Sequence, residues 1–314
     1  MRAIPTTDPT PLLDVRGVTL QYKTKDHLVT ATYRVNFQVF KSDRYVLLGP
    51  SGCGKSTLLK AVGGYMAPTE GEIRLKDKVV TRPGPDRMMV FQEFDQLLPW
   101  KTVKENVMFP LCASGKLTGK AAEEKAMQYI EKVNLVKFCN HHPHMLSGGM
   151  KQRVVMVLST LMDPSLLIAD ELTSALDVST QKAVAEMLVE FRDRKFVKST
   201  IVITHDLSIL YQIADTILVV YAGKLVEKAS AASITEDPRH PYTKLLLGSL
   251  PEVGVRFAEK RLTGIPGRPP SLLNPPTGCR FRARCPLAFD RCAEEPPFVE
   301  IEPGRFSSCW KTGT

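Results

Sequence analysis

A glycine-rich stretch that ends in a lysine and two hydroxyl residues carries the strongest chemical pattern in the sequence. Its spacing is that of a phosphate-binding loop, G-x-x-x-x-G-K-[ST]. The glycines let backbone N–H groups curve around phosphate oxygens, and a helix that begins near Lys55 adds its positive end. Lys55 would reach the β- and γ-phosphates, and Ser56 would bind Mg²⁺. We therefore predict a nucleoside triphosphate site formed by Gly49, Pro50, Ser51, Gly52, Cys53, Gly54, Lys55, Ser56 and Thr57.

Two acids end an apolar run further along the chain. Residues 166–169 are Leu-Leu-Ile-Ala, and Asp170 and Glu171 follow. Strands often exit into charged loops, so this pattern has weight because the phosphate-binding loop precedes it. We expect Asp170 to hold Mg²⁺ and Glu171 to act as the general base that polarises the attacking water.

Buried strands and helices must position these residues. The run 45–48 lacks polar alternation and precedes the glycine loop, as expected for a strand that is covered on both faces. A helix is predicted over 55–62, and further buried strands over 166–169 and 201–204 with a helix near 179–194 between them. This alternation predicts a mostly parallel sheet. Residues 12–48 alternate between apolar and polar side chains, as antiparallel strands do. Residues 115–140 show helical periodicity. Residues 216–227 predict a hairpin that turns at Ala222 and Gly223.

The bulk composition fits a folded globular chain. It has 314 residues, 43% hydrophobic and 24% charged, so it has neither a disordered nor a fibrous composition. Its longest apolar stretches fall well below the roughly 18 residues that span a bilayer, and its first residues lack a secretory signal pattern. These features predict a cytoplasmic protein that reaches a membrane through partners. The net charge is +9, but the arginines near the C-terminus alternate with Cys and Pro, so nucleic-acid binding is not predicted.

Residues 146–153 distinguish between classes of phosphate-loop proteins. They read Leu-Ser-Gly-Gly-Met-Lys-Gln-Arg, which resembles the LSGGQ motif of ABC (ATP-binding cassette) proteins with Met150 in place of the usual Gln. In that family Ser147, Gly148 and Gly149 complete the ATP site of the opposing subunit. The resemblance implies a dimer that encloses two nucleotides. The two glycines precede a predicted helix over 150–161, whose N-terminus can receive an anion.

Other segments resemble further ABC elements in the expected order. Gln92 resembles the glutamine that senses Mg²⁺ and contacts the membrane subunit, Asp177 lies in a segment similar to the D-loop, and His205 resembles the histidine that contacts the γ-phosphate. Tyr22 is the candidate for the aromatic residue that stacks on adenine. Leu172 departs from the family, which usually has Pro after the catalytic Glu.

The implied fold is a P-loop NTPase (RecA-like) α/β core with a parallel sheet, an antiparallel β subdomain, an ABC helical subdomain and a small Cys-rich C-terminal extension. We expect the nucleotide-binding domain over residues 12–235, with its helical subdomain at about 96–160, and the extension over 236–314. Five prolines between residues 266 and 276 mark a stiff linker in the extension.

The four cysteines of the extension suggest a metal centre. Cys279, Cys285, Cys292 and Cys309 lack the short C-x₂-C spacing of many zinc sites, and a reducing cytoplasm disfavours disulfides. The surrounding residues resemble the C-terminal extension of peptide-importer ATPases, which implies a [4Fe–4S] cluster, with Zn²⁺ as the alternative.

The resemblance implies an ATP-hydrolysing subunit of a membrane importer. Residues from about 150 onward resemble oligopeptide and dipeptide importers, which implies peptides or related cargo such as nickel. Residues 1–110 resemble nitrate, sulfonate and taurine importers, which is the alternative cargo class. The implied partners are integral membrane permease subunits, a second ABC ATPase subunit and, indirectly, a substrate-binding protein. A soluble ABC ATPase that does not transport is a third hypothesis, although such proteins generally carry two cassettes or a coiled-coil insertion.

Overall fold

The structure is a computed structural model that describes residues 10–24, 27–91, 96–171, 186, 189, 198–204, 213–249 and 264–312. The predicted helix near 179–194 therefore lies almost wholly outside the described residues.

An eight-stranded sheet organises the described part of the chain. Its strands are β3 (Arg44–Leu48), β6 (Arg87–Val90), β7 (Leu166–Asp170), β8 (Ser199–Ile203), β9 (Thr216–Tyr221), β10 (Lys224–Ser230), β11 (Val299–Glu302) and β12 (Arg305–Ser307), in the order β11-β12-β10-β9-β3-β8-β7-β6. Strands β6, β7, β8, β3 and β9 pair in parallel. This arrangement confirms the predicted parallel core.

A second, four-stranded sheet is antiparallel. It consists of β1 (Leu13–Lys23), β2 (Leu28–Val39), β4 (Glu70–Leu75) and β5 (Lys78–Val79), in the order β2-β1-β4-β5. Alternation of apolar and polar residues buries one face of β2, including Val35, Phe37 and Val39. The antiparallel strands predicted from the alternation near the N-terminus are thus confirmed.

Six α-helices are described: α1 (Lys55–Gly63), α2 (Val103–Ala113), α3 (Gly119–Lys132), α4 (Gly148–Thr160), α5 (Ala231–Glu236) and α6 (Pro241–Gly248). Helix α1 ends because Gly64 adopts a left-handed conformation, with φ of 84°. The helical periodicity over 115–140 corresponds to the shorter α3, which ends before Asn134, a residue with a φ of 55°. Thr102 and Glu105 form a capping box at the start of α2.

The C-terminal residues extend the main sheet. Strand β12 pairs with β10 in antiparallel fashion, and β11 pairs with β12. Strands β9 and β10 form the predicted hairpin, with left-handed residues at Ala222 and Gly223. None of the described helices has the length and apolar character needed to cross a bilayer.

Candidate functional site

The glycine loop connects the central strand β3 to helix α1. Gly54 has a φ of 103°, and a Cβ at this position would lie 2.2 Å from the backbone oxygen of Ala31 in β2. A side chain would therefore separate the loop from the antiparallel sheet. The loop is fixed on its other side too, because the N–H of Gly223 donates to the Cys53 carbonyl at 2.9 Å.

Lys55 lies inside this loop. It is only 5% exposed, and its Nζ donates to the carbonyls of Gly49 at 2.7 Å and of Pro50 at 2.9 Å. Two loop carbonyls thus orient the ammonium group toward the loop. An adjacent cavity of about 340 Å³ is lined by Ser51, Gly52, Gly54, Lys55, Ser56 and Thr57, together with Tyr22, Ala31, Glu171 and Leu272.

Ser56 of the cavity lining contacts Asp170, although the two residues are far apart in sequence. The Ser56 hydroxyl donates to Oδ1 of Asp170 at 3.0 Å. Burial raises the pKa of Asp170, the Ser56 hydrogen bond opposes that rise, and the charge of Glu171 adds to it. A divalent cation would offset the desolvation of the carboxylate. The hydroxyl and carboxylate are hard oxygen ligands of the kind that Mg²⁺ takes, so these two residues fit the predicted metal site.

Glu171 follows β7 in an unusual conformation. Its φ is 51°, in the left-handed region that non-glycine residues seldom adopt. Its N–H donates to the Ile203 carbonyl of β8 at 3.1 Å, which holds the residue in this conformation. The structure therefore places Glu171 in the cavity lining, next to the Ser56 and Asp170 pair.

The predicted residues of the LSGGM segment lie elsewhere. Ser147 caps α4, because its Oγ accepts the N–H of Met150 at 3.3 Å. That cap starts the helix at Gly148, two residues before the predicted start. Ser147 and Gly148 are exposed, and the cavity lining described above does not include Ser147, Gly148 or Gly149. The structure thus leaves this segment available at the surface.

The remaining predicted residues divide into three groups. Tyr22 lines the cavity and is 43% exposed. Cys53 is 4% exposed, and its side chain packs in the apolar core beneath the loop, where burial raises the pKa of its thiol. Gln92, Asp177 and His205 lie outside the described residues, as does Leu172.

The four extension cysteines converge on one small pocket. Cys279, Cys285, Cys292 and Cys309 all contribute to its lining. Burial raises the pKa of Cys279 to about 11 and also raises the pKa of Cys285 and Cys309, and the neighbouring cysteines of the group raise each of these further. Within the described ranges, however, no three or more His, Cys, Asp or Glu side chains are arranged to hold a metal ion.

Several residues that the sequence analysis did not identify attach the extension to the core. Phe281 is buried, with its ring centroid 5.2 Å from that of Tyr221 and 5.4 Å from that of Tyr242. Arg284 donates to the hydroxyl of Tyr221 at 3.1 Å. The position of Phe281 between two cysteines is a local signal, but its aromatic partners lie 39 and 60 residues away in sequence, and no sequence pattern pairs them with it.

Buried polar groups provide a second attachment. The Glu227 carboxylate is fully buried and accepts the N–H groups of Arg239 at 2.7 Å and of His240 at 2.9 Å. Burial raises the pKa of Glu227, and these hydrogen bonds oppose that rise. Strand β10 thereby fixes the chain where it enters α6.

Two family models match the chain. The ABC transporter model matches residues 33–174, and the model described as the oligopeptide/dipeptide transporter C-terminal region matches residues 226–292.

Curated relatives match along nearly the whole chain. The dipeptide transport ATP-binding protein DppD of Bacillus subtilis is 36% identical over 95% of this chain and 94% of its own length. The dipeptide transport ATP-binding protein DppF of Haemophilus influenzae is 34% identical over 96% of this chain and 97% of its own.

Among solved structures, the ATP-binding cassette MJ0796, determined as a dimer bound to ADP and Pi, is similar to this fold. It is 28% identical with a TM-score of 0.63, and the match covers 70% of this chain and 98% of that one.

Proposed function

The chain belongs to the ABC transporter family as an ATP-hydrolysing subunit, and from this we propose that it drives a membrane importer of dipeptides or oligopeptides. The observation that supports ATP hydrolysis most directly is the cavity lined by the phosphate-binding loop and Glu171, with Asp170 hydrogen-bonded to Ser56 of that lining.

The residues at the cavity, together with Asp170, would have different roles in ATP hydrolysis. The loop N–H groups and Lys55 would bind the phosphates, and Ser56 and Asp170 would hold Mg²⁺, which neutralises phosphate charge when bound. Glu171 would accept a proton from the attacking water. The roles of Gln92 at the metal, of His205 at the γ-phosphate and of Asp177 in nucleotide binding rest on the family resemblance.

We propose that the exposed LSGGM segment acts in a dimer. Ser147, Gly148 and Gly149 start an α-helix and so present backbone N–H groups to an anion. Because they do not line the cavity of their own chain, they would complete the nucleotide site of a second ATPase subunit. That the similar cassette MJ0796 was determined as a dimer bound to ADP and Pi supports a dimeric state.

The cargo proposal rests on the relatives. DppD and DppF are named for dipeptide transport and match both halves of the chain. Residues 1–110 resemble nitrate, sulfonate and taurine importers, but neither of these two names mentions such cargo. Peptide cargo is therefore preferred. The partners would be integral membrane permeases at the cytoplasmic face, with a substrate-binding protein acting through them.

We further propose that the four cysteines hold a [4Fe–4S] cluster. Such a cluster takes one thiolate at each of four irons, so its ligands are spaced more widely than those of a single ion. A shared pocket lined by Cys279, Cys285, Cys292 and Cys309 supports this proposal, and bound cations would lower their raised thiol pKa values. The donor set therefore fits, and the cluster would tie the segments of the extension together. Zn²⁺ is the alternative occupant.

Uptake measurements test the cargo. The chain should be expressed with its neighbouring permease and binding-protein genes in a host that lacks peptide uptake. Accumulation of labelled dipeptide that stops when Glu171→Gln replaces the parent chain would support the proposal. Accumulation of labelled taurine or nitrate, but not of peptide, would contradict it.

A further inference from the structure

A residue of the C-terminal extension lines the nucleotide cavity. Leu272 lies about 100 residues after Glu171 in sequence, yet both belong to the same lining. Leu272 is partly buried and packs against the main apolar core. Its neighbour Leu273 is 44% exposed and is not part of that lining. The two adjacent leucines therefore have different surroundings.

Specific contacts hold the linker that carries Leu272. Arg284 donates to the carbonyl of Pro266 at 2.7 Å and to that of Ile265 at 3.0 Å, and its third hydrogen bond is to Tyr221 at the end of β9. The backbone conformation of this linker is restricted by prolines at positions 266, 269, 270, 275 and 276. The linker is thus a stiff segment fastened at one end to the core.

A second contact joins the extension to the phosphate-binding loop. Arg280 donates to the carbonyl of Ala222 in the β9–β10 turn. In the same turn, the N–H of Gly223 donates to the Cys53 carbonyl of the loop. The anchor of the extension and the loop that binds phosphate thus share one turn.

The chemical character of the cavity lining indicates which part of a nucleotide Leu272 would contact. Lys55, Ser56 and the loop N–H groups suit the triphosphate, which leaves Tyr22, Ala31 and Leu272 as the apolar part of the lining. Apolar side chains suit the faces of a nucleobase rather than phosphate. We propose that Leu272 forms, together with Tyr22, the base-binding part of the nucleotide site. This inference rests on the ATP site proposed above, and it makes ATP affinity depend on the C-terminal extension.

Calorimetry with two ligands tests the role of Leu272. MgATP has a base, whereas inorganic tripolyphosphate with Mg²⁺ has the phosphates alone. We expect Leu272→Ala to weaken MgATP binding about five- to tenfold and to leave tripolyphosphate binding unchanged. The matched variant Leu273→Ala should bind both ligands as the parent does. Leu272→Met should restore MgATP affinity, because it retains an apolar side chain of similar volume.

The outcomes of these measurements distinguish a base-binding role of Leu272 from the alternatives. Parental MgATP affinity in Leu272→Ala would overturn the inference. An equal loss of MgATP and tripolyphosphate would also overturn it, because Leu272 would then act on the loop rather than on the base. If the parent binds tripolyphosphate and MgATP with equal affinity, no base-binding part exists. If the parent binds neither ligand, the proposed ATP site itself is wrong.

Discussion

Buried His240 should make the attachment of the extension sensitive to acid. The side chain is 1% exposed, and its Nδ1 accepts the N–H of Tyr242 at 3.0 Å. Burial lowers its pKa from 6.5 to about 4, and a hydrogen bond with the backbone of Ser308 opposes the shift. The folded chain therefore keeps this imidazole neutral at pH values where the unfolded chain is protonated.

The size of the effect follows from this pKa difference. Because the folded pKa is depressed, the stabilisation is present above pH 6.5 and is lost as the pH falls toward 4. One pKa unit corresponds to about 1.4 kcal/mol, so the free energy of unfolding should fall by about 2 kcal/mol between pH 7 and pH 5 on account of His240 alone. Glu227 nearby has a raised pKa and acts in the opposite direction, so the parent alone would not isolate the histidine.

A comparison of variants isolates the contribution of His240 to the pH dependence of the free energy of unfolding. His240→Asn keeps an acceptor for the Tyr242 N–H and does not titrate. Urea unfolding can be followed by Trp310 fluorescence in a Trp100→Phe background, since the chain has two tryptophans. The parent should lose about 2 kcal/mol more than His240→Asn between pH 7 and pH 5. Exposed His144, changed to Asn, should behave like the parent. Parallel pH profiles for the parent and His240→Asn would refute the reasoning.

Three further predictions concern the proposed ATP and cluster sites. Lys55→Ala should abolish most MgATP binding in calorimetry, because the phosphate loop loses its buried ammonium; undiminished binding would contradict the assignment. Glu171→Gln should still bind MgATP but turn it over at least about 100-fold more slowly, since an amide accepts no proton, and should accumulate as a dimer in light scattering. Turnover at the parental rate would show that Glu171 is not the base. Anaerobically purified protein should contain about four irons per chain and lose its visible absorbance in Cys285→Ser; stoichiometric zinc without iron would exclude the cluster.

Contiguous patterns in the sequence predicted the parts of the fold that depend on neighbouring residues. The phosphate-binding loop is one segment, so its glycines and the start of α1 at Lys55 follow from local geometry. The apolar runs likewise predicted β3 and β7 to within one residue. The start of α4 differs by two residues, because the Ser147 cap takes both glycines into the helix.

Features that depend on contacts between residues far apart in sequence could not be predicted from contiguous patterns. The left-handed Glu171 is held by the hydrogen bond that its N–H donates to β8, and nothing near it in sequence requires that conformation. Leu272 lies in the cavity lining, and Arg284 joins the start of the linker that carries it to β9. Such contacts form when segments dozens of residues apart meet, and composition or periodicity does not encode which segments those are.

The pairing of β12 with β10 also bears on solubility. Without the extension, β10 would be the edge strand of the main sheet, and its unpaired N–H and C=O groups would offer a template for another chain. The extension replaces that edge with β11, a strand of four residues that carries Glu300 and Glu302. Short, charged edges resist the addition of further strands. A chain shortened before β11 should therefore self-associate, and activity lost on such truncation should recover on dilution.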